Sequence, residues 1–300
     1  VEPLVQRAHD LWIATTPDDP TVENWRIAID ELFDTFGTHD DARVERLDAD
    51  GVPVVRVQAP GADSDHVVVH FHSGGYVMGS ADKYQEFGYR LSAATGRPVY
   101  VVDYRLAPEH RYPAQLEDAL SVHRWLLQRM DASRIAYTGD SAGGGLVFSL
   151  LIALRDAGEP LPAVASTMSA LTDLAAEGGS HDRNRATDPV VNRELAVGMG
   201  AVFLGEGRDP KQTPLGSPLY GDHHGLPPVL LQASEAETLL DDSTRLAASI
   251  VAAGGIAELV TYPDVPHVWA AFPFLPQAQH AMDRIAEFLA VHAPDTSRTR

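Results

Sequence analysis

From residue 66 onward, short runs rich in Val, Ile and Leu take turns with stretches whose apolar residues recur at helical spacing, and this alternation constrains the fold most. The runs are "HVVVHFH" (66–72), "RPVYVVDY" (97–104), "RIAYTGD" (134–140), "AVASTMSAL" (163–171), "PPVLLQAS" (227–234) and "AELVTYPDV" (257–265). Helical patterns follow near 80–95, closed by Gly96; near 113–130, with Pro113 at its start; at about 142–156; near 241–254, closed by Gly254-Gly255; and near 277–292. Such a series implies an α/β fold, a mostly parallel sheet with helices on both faces. Upstream, "ARVERLDADGVPVVRVQAP" (42–60) reads as a hairpin turning at Asp50-Gly51. Two segments break the alternation. Residues 1–40 are helical, with Trp25, Ile29, Leu32, Phe33 and Phe36 at helical spacing, and 173–225 is polar and rich in Gly, Pro, Asp and His. Both exceed plain connections. They are expected to fold over the C-terminal edge of the sheet as a cap, within one domain spanning 1–300.

Composition narrows the partners. With 44% hydrophobic and 22% charged residues in 300, the chain reads as globular and soluble. No run approaches the roughly 20 apolar residues of a membrane helix, and the N-terminal residues lack the pattern of a secretory signal. The absence of cysteine removes disulfides, thiolate catalysis and Cys-ligated zinc, and fits a cytoplasmic location. A net charge of −19 argues against nucleic acid and anionic membranes.

The chemistry concentrates in "YTGDSAGGGL" (137–146), which holds G-x-S-x-G at Gly139, Ser141 and Gly143. The motif stands where a strand gives way to a helix, the context of a nucleophile elbow, whose small residues allow the turn that exposes the serine hydroxyl. The competing reading, a phosphate-binding turn, lacks a lysine after the glycines. A serine nucleophile needs a base later in the chain. His267, in the loop after the last strand, is the candidate; His280 and His292 fall within the last helix. The acid that orients the imidazole should follow "PPVLLQAS". By position Glu235 and Glu237 remain, with Asp241 and Asp242 expected as helix-start acids and Asp264 a weaker candidate. "HSGG" (72–75) supplies Gly74 and Gly75, whose N–H groups, with that of Ala142, would form an oxyanion hole. Trp269 and Tyr76 are candidate pocket residues, Trp269 equally a core residue.

Five stretches, "HSGGYVMGS", "DYRLAPEHRYPAQLED" (103–118), "GDSAGGGL", "SPLYGDHHGLPPVLLQASEAETLLDDS" (217–243) and "HVWAAF" (267–272), resemble the hormone-sensitive-lipase-like family of α/β-hydrolases in order and spacing. Within it the chain is similar to bacterial carboxylesterases related to monoterpene ε-lactone hydrolases. The resemblance implies an eight-stranded sheet with an antiparallel second strand and a cap built from the N-terminal helices and the later insertion. It places Glu237 at the acid position, where many members have Asp, and Ser73 where glycine is common. It also suggests dimers through the last strand.

The expected activity is cofactor-free hydrolysis of short-chain carboxylic esters, a small-molecule substrate class, through an acyl-enzyme. Lactone hydrolysis on the same machinery is the alternative. A non-catalytic receptor on this fold is a second, which the presence of His267 disfavours. A metal hydrolase is a third, using His70, His72 or His223-His224; the histidines suit packing and loop support better, and no metal is expected.

Overall fold

The computed structural model describes residues 2–295. Helices α1 (Pro3–Thr15) and α2 (Val22–Asp34) come first, and the Thr21 side chain caps α2 by accepting the Asn24 N–H at 3.2 Å. Strands β1 (Arg43–Ala49) and β2 (Val52–Gln58) form the hairpin. Its turn residues Asp50 and Gly51 both have positive φ, 55° and 91°, as the tight turn between twisted strands requires. There follow β3 (Val67–Phe71), α3 (Gln85–Thr95), β4 (Val99–Val102), α4 (Ala114–Leu127), β5 (Ile135–Asp140), α5 (Ala142–Ala157) and β6 (Val164–Met168). Within the long polar stretch lie α6 (Ser180–Arg183) and α7 (Arg193–Leu204). The chain then makes β7 (Val229–Ser234), α8 (Leu240–Ala252), β8 (Ala257–Tyr262) and α9 (Pro276–His292).

The eight strands lie in the order β1-β2-β4-β3-β5-β6-β7-β8, with β2 antiparallel to both neighbours and every later pairing parallel. Strands β3, β5, β6 and β7 are buried along their whole length, which is why these runs lack polar alternation in the sequence. The pleat divides them between two cores. Val67, Val69 and Phe71 of β3 join Leu116 and Leu126 of α4, Leu146 and Leu150 of α5 and Leu246 of α8. Val68, one residue out of phase, joins Phe87 and Leu91 of α3 and Met282, Ile285 and Leu289 of α9 on the opposite face. Burying each such side chain is worth roughly 1.5–3 kcal/mol.

The helix expected from residue 80 starts at Gln85, because the glycine loop and the turns after it occupy the chain to Tyr84. Helices α1 and α2, the segment before α7, and α7 itself wall a cleft above the C-terminal ends of β3 and β5. This is the helical cap of the fold.

Candidate active site

Strand β5 passes into α5 with only Ser141 between them. Ser141 adopts φ 50°, ψ −119°, strained for an L residue and held by backbone bonds on both sides. Its N–H donates to Met168 O at 3.0 Å, and its carbonyl accepts from Leu171 N at 2.9 Å. The turn works only with a bare backbone beside it: a Cβ on Gly143 would stand 1.9 Å from Phe71 O.

The loop after β8 brings in His267. Ser141 Oγ lies 3.0 Å from His267 Nε2, and His267 Nδ1 lies 2.7 Å from Glu237 Oε2. A carboxylate accepts, so the imidazole carries its proton on Nδ1 and faces the serine with a lone pair. Glu237 is fully buried, and its second oxygen, Oε1, accepts the Ser234 N–H at 2.9 Å. Glu235, the other acid left open by position, turns outward and accepts from Thr261 Oγ1. Asp264 points no acid at the imidazole; its carbonyl accepts from His9. Burial acts to lower the His267 pKa, but the hydrogen bond and charge of Glu237, with Asp188 and Asp140 beyond, outweigh it and raise the pKa above the ordinary 6.5.

On the other side of Ser141 lies the loop after β3. Gly74 and Gly75 have φ 120° and 60°. The Gly74 carbonyl accepts from Val77 and Met78, while among the described residues no acceptor meets the N–H of Gly74 or Gly75. The Ala142 N–H, first in α5, is one of the amides that a helix start leaves without an internal partner. This loop is braced from below. Asp140, fully buried beside Ser141, accepts from His70 Nε2 at 3.1 Å and from the Tyr84 hydroxyl at 2.7 Å. Tyr84 in turn accepts from the Ser73 N–H and hydroxyl at 3.1 and 2.6 Å. Ser73 is therefore a brace of the loop. His72 Nδ1 donates to Ser73 O, and burial lowers the His72 pKa, keeping it neutral. From the cap, Arg26 of α2 donates to Val77 O at 2.7 Å.

The cleft, about 580 Å³ and open to solvent, is lined by Ser141, His267 and the two glycines at its floor. Its walls are apolar: Trp12 and Trp25 on one side, Leu195, Met199 and Leu239 on the other. The two cap tryptophans thus reach the cleft, while Phe33 stacks on Tyr84 and Phe36 meets Phe272 edge to face. Tyr76 and Trp269 lie outside the cleft lining, Trp269 in the core position that was its other reading. Tyr76 stacks on Phe203 at 3.9 Å, and Trp269, fully buried, packs on Tyr262 and donates its indole N–H to Gln277 O; neither lines the cleft. Asp241 and Asp242 are also not simple helix-start acids. Asp241 accepts from Ser180 and Arg183, and Asp242 accepts the N–H groups of Thr172 and Asp173, so both tie α8 to the insertion.

Sequence reasoning missed Tyr84 and Asp188. Asp188 Oδ2 accepts the Thr238 N–H, next to Glu237, while Oδ1 accepts those of Val190 and Val191, both cleft residues. No local pattern marks either side chain. The histidines weighed as metal ligands have other partners: His70 bonds Thr138 and Asp140, and His223 bonds Ser249 and Pro218 O. Among the described residues, the three potential ligands that do converge are Asp65, His66 and Asp295, none of which lines the cleft. No described helix is long and apolar enough to cross a membrane.

Comparison with known proteins places this geometry. A family model described as the alpha/beta hydrolase fold matches residues 68–271. An acetyl-hydrolase of Streptomyces hygroscopicus is 35% identical over 275 residues, covering 89% of this chain and 89% of that one. The crystal structure of an esterase from the bacterial hormone-sensitive lipase family superposes with a TM-score of 0.94 at 41% identity, over 98% of this chain and 99% of that chain. An esterase whose crystal was soaked with p-nitrophenyl butyrate superposes with a TM-score of 0.91 at 34% identity, over 97% and 99%.

Proposed function

The chain belongs to the hormone-sensitive-lipase-like family of bacterial carboxylesterases within the α/β-hydrolases, and from that membership we propose that Ser141, His267 and Glu237 are its catalytic triad and that it acts on small esters with short acyl chains. It is a serine hydrolase of carboxylic esters. The observation that carries the assignment is the unbroken chain of hydrogen bonds from Ser141 through His267 to Glu237 under an apolar cleft.

In this reading Ser141 Oγ attacks the ester carbonyl while His267 Nε2 takes its proton. The oxyanion draws the N–H groups of Gly74, Gly75 and Ala142, which meet no competing acceptor among the described residues. His267 then hands the proton to the departing alcohol, leaving an acyl-Ser141. Water, deprotonated by the same nitrogen, attacks that ester, and the acid leaves with Ser141 restored. The buried charge of Glu237 stabilises the imidazolium at each transfer. The short-chain preference is supported by cleft walls that close in from both cap segments, by an acetyl-hydrolase relative, and by a structural neighbour soaked with a butyrate ester. The cap, as residues 1–40 with 173–225, and the sheet would act as a single domain. A homodimer through the outer edge of β8, where Ile256 and Leu259 are exposed, belongs to the same proposal.

The test is hydrolysis of p-nitrophenyl acetate, butyrate, octanoate and palmitate by the wild type and Ser141→Ala. Acetate and butyrate should turn over fastest and Ser141→Ala should lose nearly all rate. Equal activity of the two proteins would remove Ser141 as nucleophile, and a palmitate optimum would overturn the short-chain assignment.

A further inference from the structure

Helix α1 carries His9 and Trp12 three residues apart, on one face. His9 Nε2 lies 2.8 Å from the carbonyl oxygen of Asp264, and the Trp12 indole N–H donates to the carbonyl of His267 at 2.9 Å. A carbonyl only accepts, so His9 carries a proton on Nε2. The two acceptors are also three residues apart, in the loop that presents the imidazole. Each bond joins positions 255 residues distant in sequence.

That loop needs holding. Asp264 and Val268 stand at φ 60° and 54°, in the left-handed region, which a β-branched valine adopts only where its surroundings hold it. Loop carbonyls have no ladder to satisfy them, and that of His267 sits in a buried place. The two donors from α1 answer both needs. They differ in surroundings: Trp12 is buried, packs its ring edge on Phe272 and lines the cleft, whereas His9 stands at the surface outside it.

We propose that α1 is a positioning element of the active site, and that His9 and Trp12 are positioning residues which hold the His267 backbone so that Nε2 stays aligned on Ser141. The inference rests on the reading of His267 as the general base. A displacement of about 1 Å in a catalytic group can cost about 100-fold in rate. One consequence concerns the cap: α1 cannot lift away as a free lid without breaking both bonds and releasing His267, so the competent enzyme has α1 docked.

Three variants separate holding from filling. His9→Ala removes a donor outside the cleft, His9→Gln puts an N–H back, and Trp12→Phe keeps an aromatic ring against Phe272 without the indole N–H. With p-nitrophenyl acetate, butyrate and octanoate, kcat should fall about threefold in His9→Ala and about tenfold in Trp12→Phe, by the same factor on every ester and with KM unchanged. His9→Gln should recover most of the loss. In NMR spectra of the free enzyme, the low-field resonance of the His267 Nδ1 proton should broaden in both donor-less variants and sharpen again in His9→Gln. Unchanged kcat and an unchanged proton signal would overturn the proposal. So would a loss confined to KM, or one that grows with chain length, which would make Trp12 a wall and nothing more. Melting temperatures identify a Trp12→Phe protein that merely folds badly, and the surface variants at His9 still decide the matter. His267→Ala, assayed alongside, keeps the two claims apart. If it stays active, the triad reading fails; if it is inert while the α1 variants behave as wild type, only the positioning role fails.

Discussion

Replacing Glu237 with glutamine leaves the shape of the site and removes one property: two acceptor oxygens on one side chain. Glu237 uses both, Oε1 for the Ser234 N–H at 2.9 Å and Oε2 for the His267 Nδ1–H at 2.7 Å. Glutamine has one acceptor and one donor. If its oxygen serves Ser234, its NH₂ faces Nδ1 and forces the imidazole to carry its proton on Nε2, where it cannot accept from Ser141. If the amide turns the other way, NH₂ meets the Ser234 N–H, two donors in contact at a position with no access to water. Either arrangement also leaves the developing imidazolium without its counter-charge. A triad acid replaced by its amide loses about 10⁴ in kcat in serine proteases, so a fall of about 10³–10⁴ is expected here, or about 4–5.5 kcal/mol at 1.36 kcal/mol per decade. The assay is kcat and kcat/KM for p-nitrophenyl butyrate from about pH 5 to pH 9, a range that spans the ordinary histidine pKa of about 6.5, with thermal melts to verify folding. The pH axis carries a second readout. In the wild type Glu237 raises the His267 pKa against burial, so the acid limb of kcat/KM should lie above that of a free imidazole, near pH 6.5. Without the carboxylate, burial prevails and the pKa falls; the neutral base then persists to lower pH, and the acid limb of the residual activity moves down. A folded Glu237→Gln enzyme that keeps more than about a tenth of the wild-type kcat would refute this account of the triad.

Two further predictions concern other parts of the structure. Gly74→Ala sets a Cβ 2.1 Å from the backbone oxygen of Met78 at φ 120°, where neither atom can give way, whereas Gly75→Ala at φ 60° meets the mobile thioether of Met199. With Gly74 as the proposed oxyanion donor, the first should lower kcat by about 10²–10³; the second should be milder and be partly restored by adding Met199→Ala, as kcat/KM measurements will tell. Burial raises the Asp242 pKa to about 8, so the folded chain keeps a proton that the unfolded chain releases near 3.9. The stability this contributes is complete below about pH 4 and is lost as pH rises toward 8. The melting temperature of the wild type relative to Asp242→Asn should therefore fall between pH 5 and 9, and a difference independent of pH would contradict the assignment.

Much of this molecule was legible in the chain because its signals are local. The alternation of buried runs with helical patterns specified the sheet, since a strand covered on both faces must be apolar throughout. Asp50-Gly51 announced the hairpin because few residue pairs tolerate two positive φ angles in succession. The small residues around Ser141 marked the elbow because Gly143 packs where a side chain would strike the backbone of β3. His267 followed from chain order, being the late histidine that a loop rather than a helix presents.

What the chain did not decide depends on which way a side chain turns once distant segments meet. Position alone left Glu235 and Glu237 open, and only the family resemblance chose Glu237; the path after β7 sends Glu235 outward to Thr261 and Glu237 inward to His267. Trp12, Trp25, Tyr76 and Trp269 are all aromatic and buried, yet the first two reach the cleft and the others fill cores, because a buried ring satisfies the same sequence pattern whichever apolar surface it meets. The brace from Asp140 through Tyr84 to Ser73, and the grip of α1 on the His267 loop, join residues with no local signature. Sequence alone determined the sheet and the candidate nucleophile and base, because turn sterics and burial act over a few residues. Tertiary structure alone decided the acid's orientation, the cleft walls and the supports of the site, because those are set by contacts between segments as much as 255 residues apart.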